Sequence, residues 1–332
     1  LNLAALDGKT PTSERSFVSV PEYFDALLAV FRCRFTTTAT VGSVSLEVNA
    51  INDVCFLQAA TNCCGALAVC CGLSHEARAS LPGSGIVALL LLLMDKLWVV
   101  RNAKTVHASK RSAATKCLRA ACTALRNAML KSSECSCQQA IQKEFCQAGG
   151  IQTVLRMLVE KSNDRVAEKA AAVLTNATDG SVHARRWIFE TDLSCMLKGI
   201  GCGHAPVHSS CWEFCAGAIR NLTVGGAMLE DQASHSLCAT LLQKIALLCD
   251  LMANGATRRA VSVQRALVSL CGALCNLSLI SDNAAVLESH GTRVMLAAMV
   301  STLPDASEAI QYAEQALQNL DHHASYLAGA AV

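Results

Sequence analysis

The sequence predicts an all-α solenoid of about six three-helix repeats, on three observations. The 332 residues are 52% hydrophobic, 16% charged and 4% aromatic with five prolines, which supplies an extended core and has the Ala- and Leu-rich, Pro-poor balance of helices. A short motif, Cys271-Gly272-Ala273-Leu274-Cys275-Asn276-Leu277-Ser278, returns as Ala216-Gly217-Ala218-Ile219-Arg220-Asn221-Leu222-Thr223 and more faintly around Asn127, Asn176 and Asn319. The five asparagines stand 49, 45, 55 and 43 residues apart. A period in the forties suits a three-helix repeat, longer intervals marking loop insertions.

In each copy the small and aliphatic residues before the Asn, and the apolar one after it, point largely away from it on a helix. They can be buried while the Asn stays on an open face. With its Ala-Leu-x-Asn-Leu ending, this pattern resembles the third helix of the armadillo-repeat family, over about residues 50–323. The resemblance implies a right-handed α-solenoid, or superhelix, of armadillo-type repeats.

In chain order, residues 1–49 read as an N-terminal leader with a capping helix, because Gly8 and Pro11 break a polar stretch and Pro21 opens an apolar run. Asn52 to Cys71 reads as the third helix of a first repeat with Val69 at the Asn position. Gly83 and Gly85 lead into a second helix, Ile86 to Val100, and Gly149-Gly150 into another ending at Val159. Lys131 to Cys137 reads as a polar insertion. Asp164 reads as an N-cap, and His183 to Glu190 as a first helix. Residues 226–255 stretch the next repeat, Ser281 to Leu320 forms the last, and residues 324–332 are a short apolar tail.

The resemblance implies that Asn127, Asn176, Asn221, Asn276 and Asn319 line a concave groove and exchange hydrogen bonds with the main chain of an extended ligand. The alternative is that they bond neighbouring helices within the solenoid. Cargo receptors of the importin-α type carry Trp four residues before the Asn. Here those positions are Thr123, Ala172, Gly217, Gly272 and Gln315, which argues against nuclear-signal binding.

Net charge is +2, yet Lys96 to Ser133 holds nine Lys or Arg and no acid, whereas Ser281 onward holds six acids and one Arg. Lys116 and Arg119 lie eleven and eight residues before Asn127, on its helical face, and Arg126 and Arg220 adjoin ladder asparagines. A basic groove invites an acidic or phosphorylated segment. The bland alternative is a solvated face. Without interleaved aromatics the basic stretch is a poor nucleic-acid surface.

The 19 cysteines sit in helical patterns, some adjacent, and read as reduced core residues in a reducing, cytoplasmic compartment, organellar or cytoskeletal association remaining open. Cys202, His204, His208 and Cys211 are a weak zinc candidate in so cysteine-rich a chain. The longest apolar run, Ile86 to Met94, is about half of a ~20-residue membrane span. No phosphate loop or nucleophile elbow is present, and no cofactor is called for. The expected role is a non-enzymatic scaffold or adaptor for protein partners that binds an extended acidic or phosphorylated segment. The alternative is a structural subunit of a larger assembly with its groove permanently filled.

Overall fold

The computed structural model describes residues 54–131, 135–160, 165–191, 210–224, 231–254, 260–303 and 306–330. These form fourteen α-helices, and no strand occurs among them. The 1–49 leader and Asp164 lie outside the described residues.

The molecule is a superhelix with its third helices stacked in order. They are α1 (Val54–Leu73), α4 (Ala108–Ala128), α7 (Arg165–Thr178), α9 (Cys211–Thr223), α11 (Ala260–Leu277) and α14 (Ser307–Ala330), each packed on the next. First and second helices cover the outer side: α2 (His75–Ala79) and α3 (Ile86–Asn102); α5 (Cys135–Gln147) and α6 (Gly150–Glu160); α8 (Val182–Thr191); α10 (Asp231–Ala253); α12 (Ser281–Ser289) and α13 (Thr292–Thr302).

Small side chains set the stacking. On α4 the buried residues are Ala114, Cys117, Leu118, Ala121, Cys122, Ala124, Leu125 and Ala128, and on α7 seven buried positions between Val166 and Leu174 are Ala or Val except the last. Alanine and cysteine let helix axes approach, while leucines fill the gaps between them. Each fully buried leucine contributes about 1.5–3 kcal/mol.

Turns repeat as well. Gly85, Gly149 and Gly291 each precede a second helix with φ near +75°, at 77°, 77° and 73°. That left-handed geometry is nearly free of strain only for glycine. Last-turn carbonyls of the third helices are satisfied by side chains from first helices: Arg78 donates to Cys71 O, Gln142 to Asn176 O and Asp179 O at 2.8 Å each, and Arg185 to Val224 O. Asp95 on α3 accepts from Thr153 and Arg156 on α6, joining successive second helices.

One local expectation changes. The polar insertion ends by residue 134, because Cys135, Ser136 and Cys137 begin α5, a continuous helix whose inner residues Ile141, Phe145 and Cys146 are buried. The apolar tail extends the last helix, since residues 324–330 continue α14, and His323 Nε2 meets Ser278 O at 3.1 Å. Finally, α1 is long and apolar enough to cross a membrane by length and composition, although the run first singled out on that count was Ile86 to Met94. In the fold Leu57, Cys64, Leu67 and Cys71 of α1 are fully buried, and α1 packs on α4.

Gly150 marks where backbone and core touch: an added Cβ there would lie 2.4 Å from the ring of buried Phe145. Gly150→Ala is expected to destabilise the protein by about 1–3 kcal/mol through overpacking. A urea midpoint equal to that of the parent protein would show that the contact is slack.

Candidate functional site

The asparagine ladder has one geometry throughout. Each Asn reaches back to the preceding third helix and donates its amide nitrogen to the carbonyl one residue before that helix's own ladder position. Asn127 Nδ2 bonds Ala68 O at 2.8 Å, Val69 standing at the vacant rung, and Asn176 Nδ2 bonds Arg126 O at 2.8 Å. Asn221 bonds Thr175 O at 2.9 Å, Asn276 bonds Arg220 O at 3.4 Å, and Asn319 bonds Cys275 O at 3.3 Å. Four of these five carbonyls lie in the last turn of their helices, where no intrahelical N–H follows, and Thr175 O, Arg220 O and Cys275 O also accept from the hydroxyls of Thr178, Thr223 and Ser278. The ladder is therefore a set of C-terminal caps supplied from the next repeat.

A second acceptor distinguishes the later rungs. Asn221, Asn276 and Asn319 also donate to the hydroxyls of Thr178, Thr223 and Ser278, at 3.4, 3.2 and 2.9 Å. Each hydroxyl sits two residues past the preceding ladder Asn, where Asn127 is followed by Met129. Asn221, Asn276 and Asn319 so commit both N–H groups to the solenoid, while Asn127 and Asn176 use one in these bonds. Of the two expected roles, bonding within the solenoid is present at every rung. At the last rung Asn319 Oδ1 also accepts from Gln315 Nε2 at 3.3 Å.

The residues before Asn127, Asn176 and Asn221 reach across the following repeat. An added Cβ at Gly272 would meet Arg220 Nε at 2.9 Å, and one at Gly217 would meet Thr175 Cγ2 at 3.3 Å. Absence of a side chain four residues before Asn221 and Asn276 thus makes room for the preceding repeat. Arg220 continues over α11 to α14, its guanidinium 4.6 Å from the Tyr312 ring centre and donating to the Tyr312 hydroxyl. Arg126 likewise spans α7 to stand 5.4 Å from the Phe214 ring centre on α9. Sequence reading did not find these two bridges. Their signal was present, since Phe214 and Tyr312 each stand seven residues before a ladder Asn.

Charge on this inner face changes along the stack. Eleven residues before successive ladder asparagines stand Lys116, Arg165, Ser210, Arg265 and Glu308. Lys116 and Arg165 are exposed, Arg119 and Lys169 half-buried, and Glu168 lies 3.9 Å from Lys169. Within α4 and α7 the inner face is therefore mainly cationic. The Nε atoms of Arg119 and Arg126 are buried without an acceptor among the described residues. Further on, Arg265 pairs with Glu213 at 3.1 Å, and both line a depression of about 320 Å³ with Phe214, Gly217 and Glu308. A larger depression of about 530 Å³ between α1 and α4 is lined by Gly65, Ala68, Val69, Gly72, Leu73, Ala120, Thr123 and Asn127.

Not every base of the Lys96 to Ser133 stretch serves that face. Arg101 is buried with its guanidinium 4.8 Å from the Trp98 ring centre. Of the tryptophans, Trp212 is buried and Trp187 is 40% exposed on α8. Of the zinc candidates, Cys202, His204 and His208 lie outside the described residues. Cys211 is buried in α9, its Sγ 3.9 Å from that of Cys215. Burial pushes the thiols of Cys71 and Cys122 up to about 12, and those of Cys146 and Cys249 to about 11. Thiols so far from ionisation are poor nucleophiles and inert packing groups.

No family model matches the sequence, and no curated protein matches it. Solved structures do. A crystal structure of an engineered protein aligns over 83% of this chain and 99% of its own, with a TM-score of 0.57 at 16% identity. A designed armadillo repeat protein in complex with the peptide (KR)4 aligns over 82% of this chain and 97% of its own, with a TM-score of 0.57 at 17% identity.

Asn221→Ala should remove the inter-repeat bonds to Thr175 O and Thr178 Oγ1 and cost about 0.5–1.5 kcal/mol per bond lost, Thr175 O keeping only the Thr178 hydroxyl. Chemical denaturation checks this, and an unchanged midpoint would remove the ladder from the account of stability. In the folded protein at mildly alkaline pH, Cys71, Cys122 and Cys146 should resist iodoacetamide and react only after unfolding. Labelling of the native protein at the rate of an unhindered thiol, mapped by mass spectrometry, would contradict their burial. The stacked third helices, the glycine turn before three second helices and the register of the ladder together give this chain the fold of an armadillo-type repeat solenoid.

Proposed function

We propose that this protein is a non-enzymatic interaction scaffold whose inner face receives an extended protein segment rich in acidic or phosphorylated residues. The observation that carries the reading is the run of cations on that face, Lys116, Arg119 and Arg126 on α4 with Arg165 and Lys169 on α7, set beside two asparagines that retain an uncommitted N–H. Carboxylates and phosphates are the partners of such groups, and the charge-assisted bonds they form are the strong ones. The designed neighbour is in complex with the peptide (KR)4; the cations of the inner face here favour a ligand of the opposite sign.

In this reading Asn127 and Asn176 hold ligand main chain, while Asn221, Asn276 and Asn319 hold chiefly the solenoid. Arg220 is engaged with Tyr312 and serves a ligand only by leaving it. The compartment proposed is the reducing cytoplasm, a reading supported by thiols embedded in helix interfaces. Among the described residues of the outer helices, Val99, Val182 and Val294 are exposed large apolar residues on three different helices.

Fluorescence anisotropy with labelled peptides of equal length and opposite net charge tests the proposal. The acidic peptide should bind more tightly, and the preference should fall as salt rises. Reversing both Lys116 and Arg119 to Glu should weaken it about tenfold at low salt, since each exposed pair contributes up to about 1 kcal/mol. Equal binding of the two peptides, or indifference to the double reversal, would dismiss the acidic-segment reading.

A further inference from the structure

At its N-terminal end the ladder gives way to an apolar notch. Val69 occupies the register that asparagine holds in the later repeats, and Leu73 follows one turn on; they are 38% and 78% exposed. The surrounding helix, α1, contains no charged residue. Space comes from glycine: a Cβ built at Gly65 meets nothing within 4 Å, and Gly72 opposes only the Asn127 amide, at 3.1 Å. The far wall is Ala120 and Thr123 on α4, and the depression measures about 530 Å³.

The rim decides what kind of group this notch takes. Lys116, Ala120, Thr123 and Asn127 fall on one helical stripe, so exposed Lys116 stands one turn from the notch wall, with Arg119 beside it. Neither notch nor rim offers a carboxylate: residues 96–133 and all of α1 contain no acid. An apolar recess bordered by cations is complementary to an aliphatic side chain whose own neighbours in sequence are anionic. The span from Thr123 to Lys116 along the helix is ~10 Å, which an extended chain covers in about three residues.

We propose that this notch is the specificity pocket of the scaffold, taking a Leu, Ile or Met side chain of an extended segment that carries acidic residues within about three positions of it. The inference rests on the scaffold reading and adds to it the residue that fixes ligand register. Lys116 and Arg119 attract the segment by charge, a long-range and undiscriminating force. The notch places it, because only a side chain of fitting size and polarity gains by leaving water there.

The test uses the full chain and a labelled synthetic peptide in a Gly/Ser background with one leucine and, three residues on, two glutamates. A second peptide replaces the leucine by serine. The leucine peptide should bind at least about tenfold more tightly. Gly65→Leu fills the notch from within α1, into space that is already open and with better helix propensity than glycine. It should abolish the leucine-over-serine preference while keeping the thermal midpoint. Leu73→Ser, at an exposed wall position, should reduce the same preference without touching the core. Lys116→Glu should weaken both peptides alike.

If Lys116→Glu weakens binding but the preference survives Gly65→Leu, the notch is not the pocket, while the scaffold reading stands. If neither peptide binds and Lys116→Glu changes nothing, the scaffold reading fails and takes the pocket with it. A photo-crosslinker installed at position 65 should capture the leucine peptide. Capture instead of residues 1–53 of the same chain, or of a second copy, would assign the notch to self-association and overturn the proposal.

Discussion

Each ladder asparagine ties its repeat to the preceding one through an amide nitrogen reaching a main-chain carbonyl, and at four of the five rungs that carbonyl lies in a last turn that lacks an intrahelical N–H donor. A helix of any sequence ends with carbonyls in that condition, and a solenoid built from helix ends stacked side by side accumulates one such deficit per repeat. Asparagine corrects it at the inner edge, while Arg78, Gln142 and Arg185 do the same from the first helices. Because the acceptor is main chain, the bond does not depend on which side chain the neighbour carries. It depends on register, which is why the Asn recurs at one phase while flanking residues drift between Ala, Cys, Thr and Gly.

That register was legible in the sequence, and so was most of the fold. Asn276 and its echoes placed the third helices, and the Gly-Gly-Ile signature placed α6. What a motif could not convey was the direction of the asparagine side chain. An exposed helix face and an inter-repeat bond share the same periodicity, and only the position of the preceding helix end separates them. Cys135 to Cys137 went wrong for a related reason: their polarity suggested a loop, yet they begin a helix whose apolar stripe, Ile141 and Phe145, starts only one turn later. The charge of the inner face was readable from Lys116 and Arg119, whereas the burial of Arg101 under Trp98 required the fold.

The glycines four residues before Asn221 and Asn276 take a different meaning in three dimensions. In the sequence they register as absence, the loss of an aromatic that cargo receptors carry. In the structure each is the floor on which a neighbour's side chain rests, Thr175 over Gly217 and Arg220 over Gly272. Size at one position is thus matched to size at another, one repeat away. A bulky residue introduced at Gly272 without shrinking Arg220 would force one of the two helices outward.

Arg126 and Arg220 carry this matching past the nearest neighbour. Repeat arrays are commonly treated as one-dimensional chains in which each unit senses only the next, but the Arg126–Phe214 and Arg220–Tyr312 contacts each leap a whole repeat. Their cation–π attraction, ~0.5–2 kcal/mol apiece, couples first to third members of a triplet and adds a stiffness that pairwise stacking lacks. Flattening or tightening the superhelix changes the arc that each guanidinium must cover. The two arginines thereby act as struts that fix curvature, and the inner face has its radius already set.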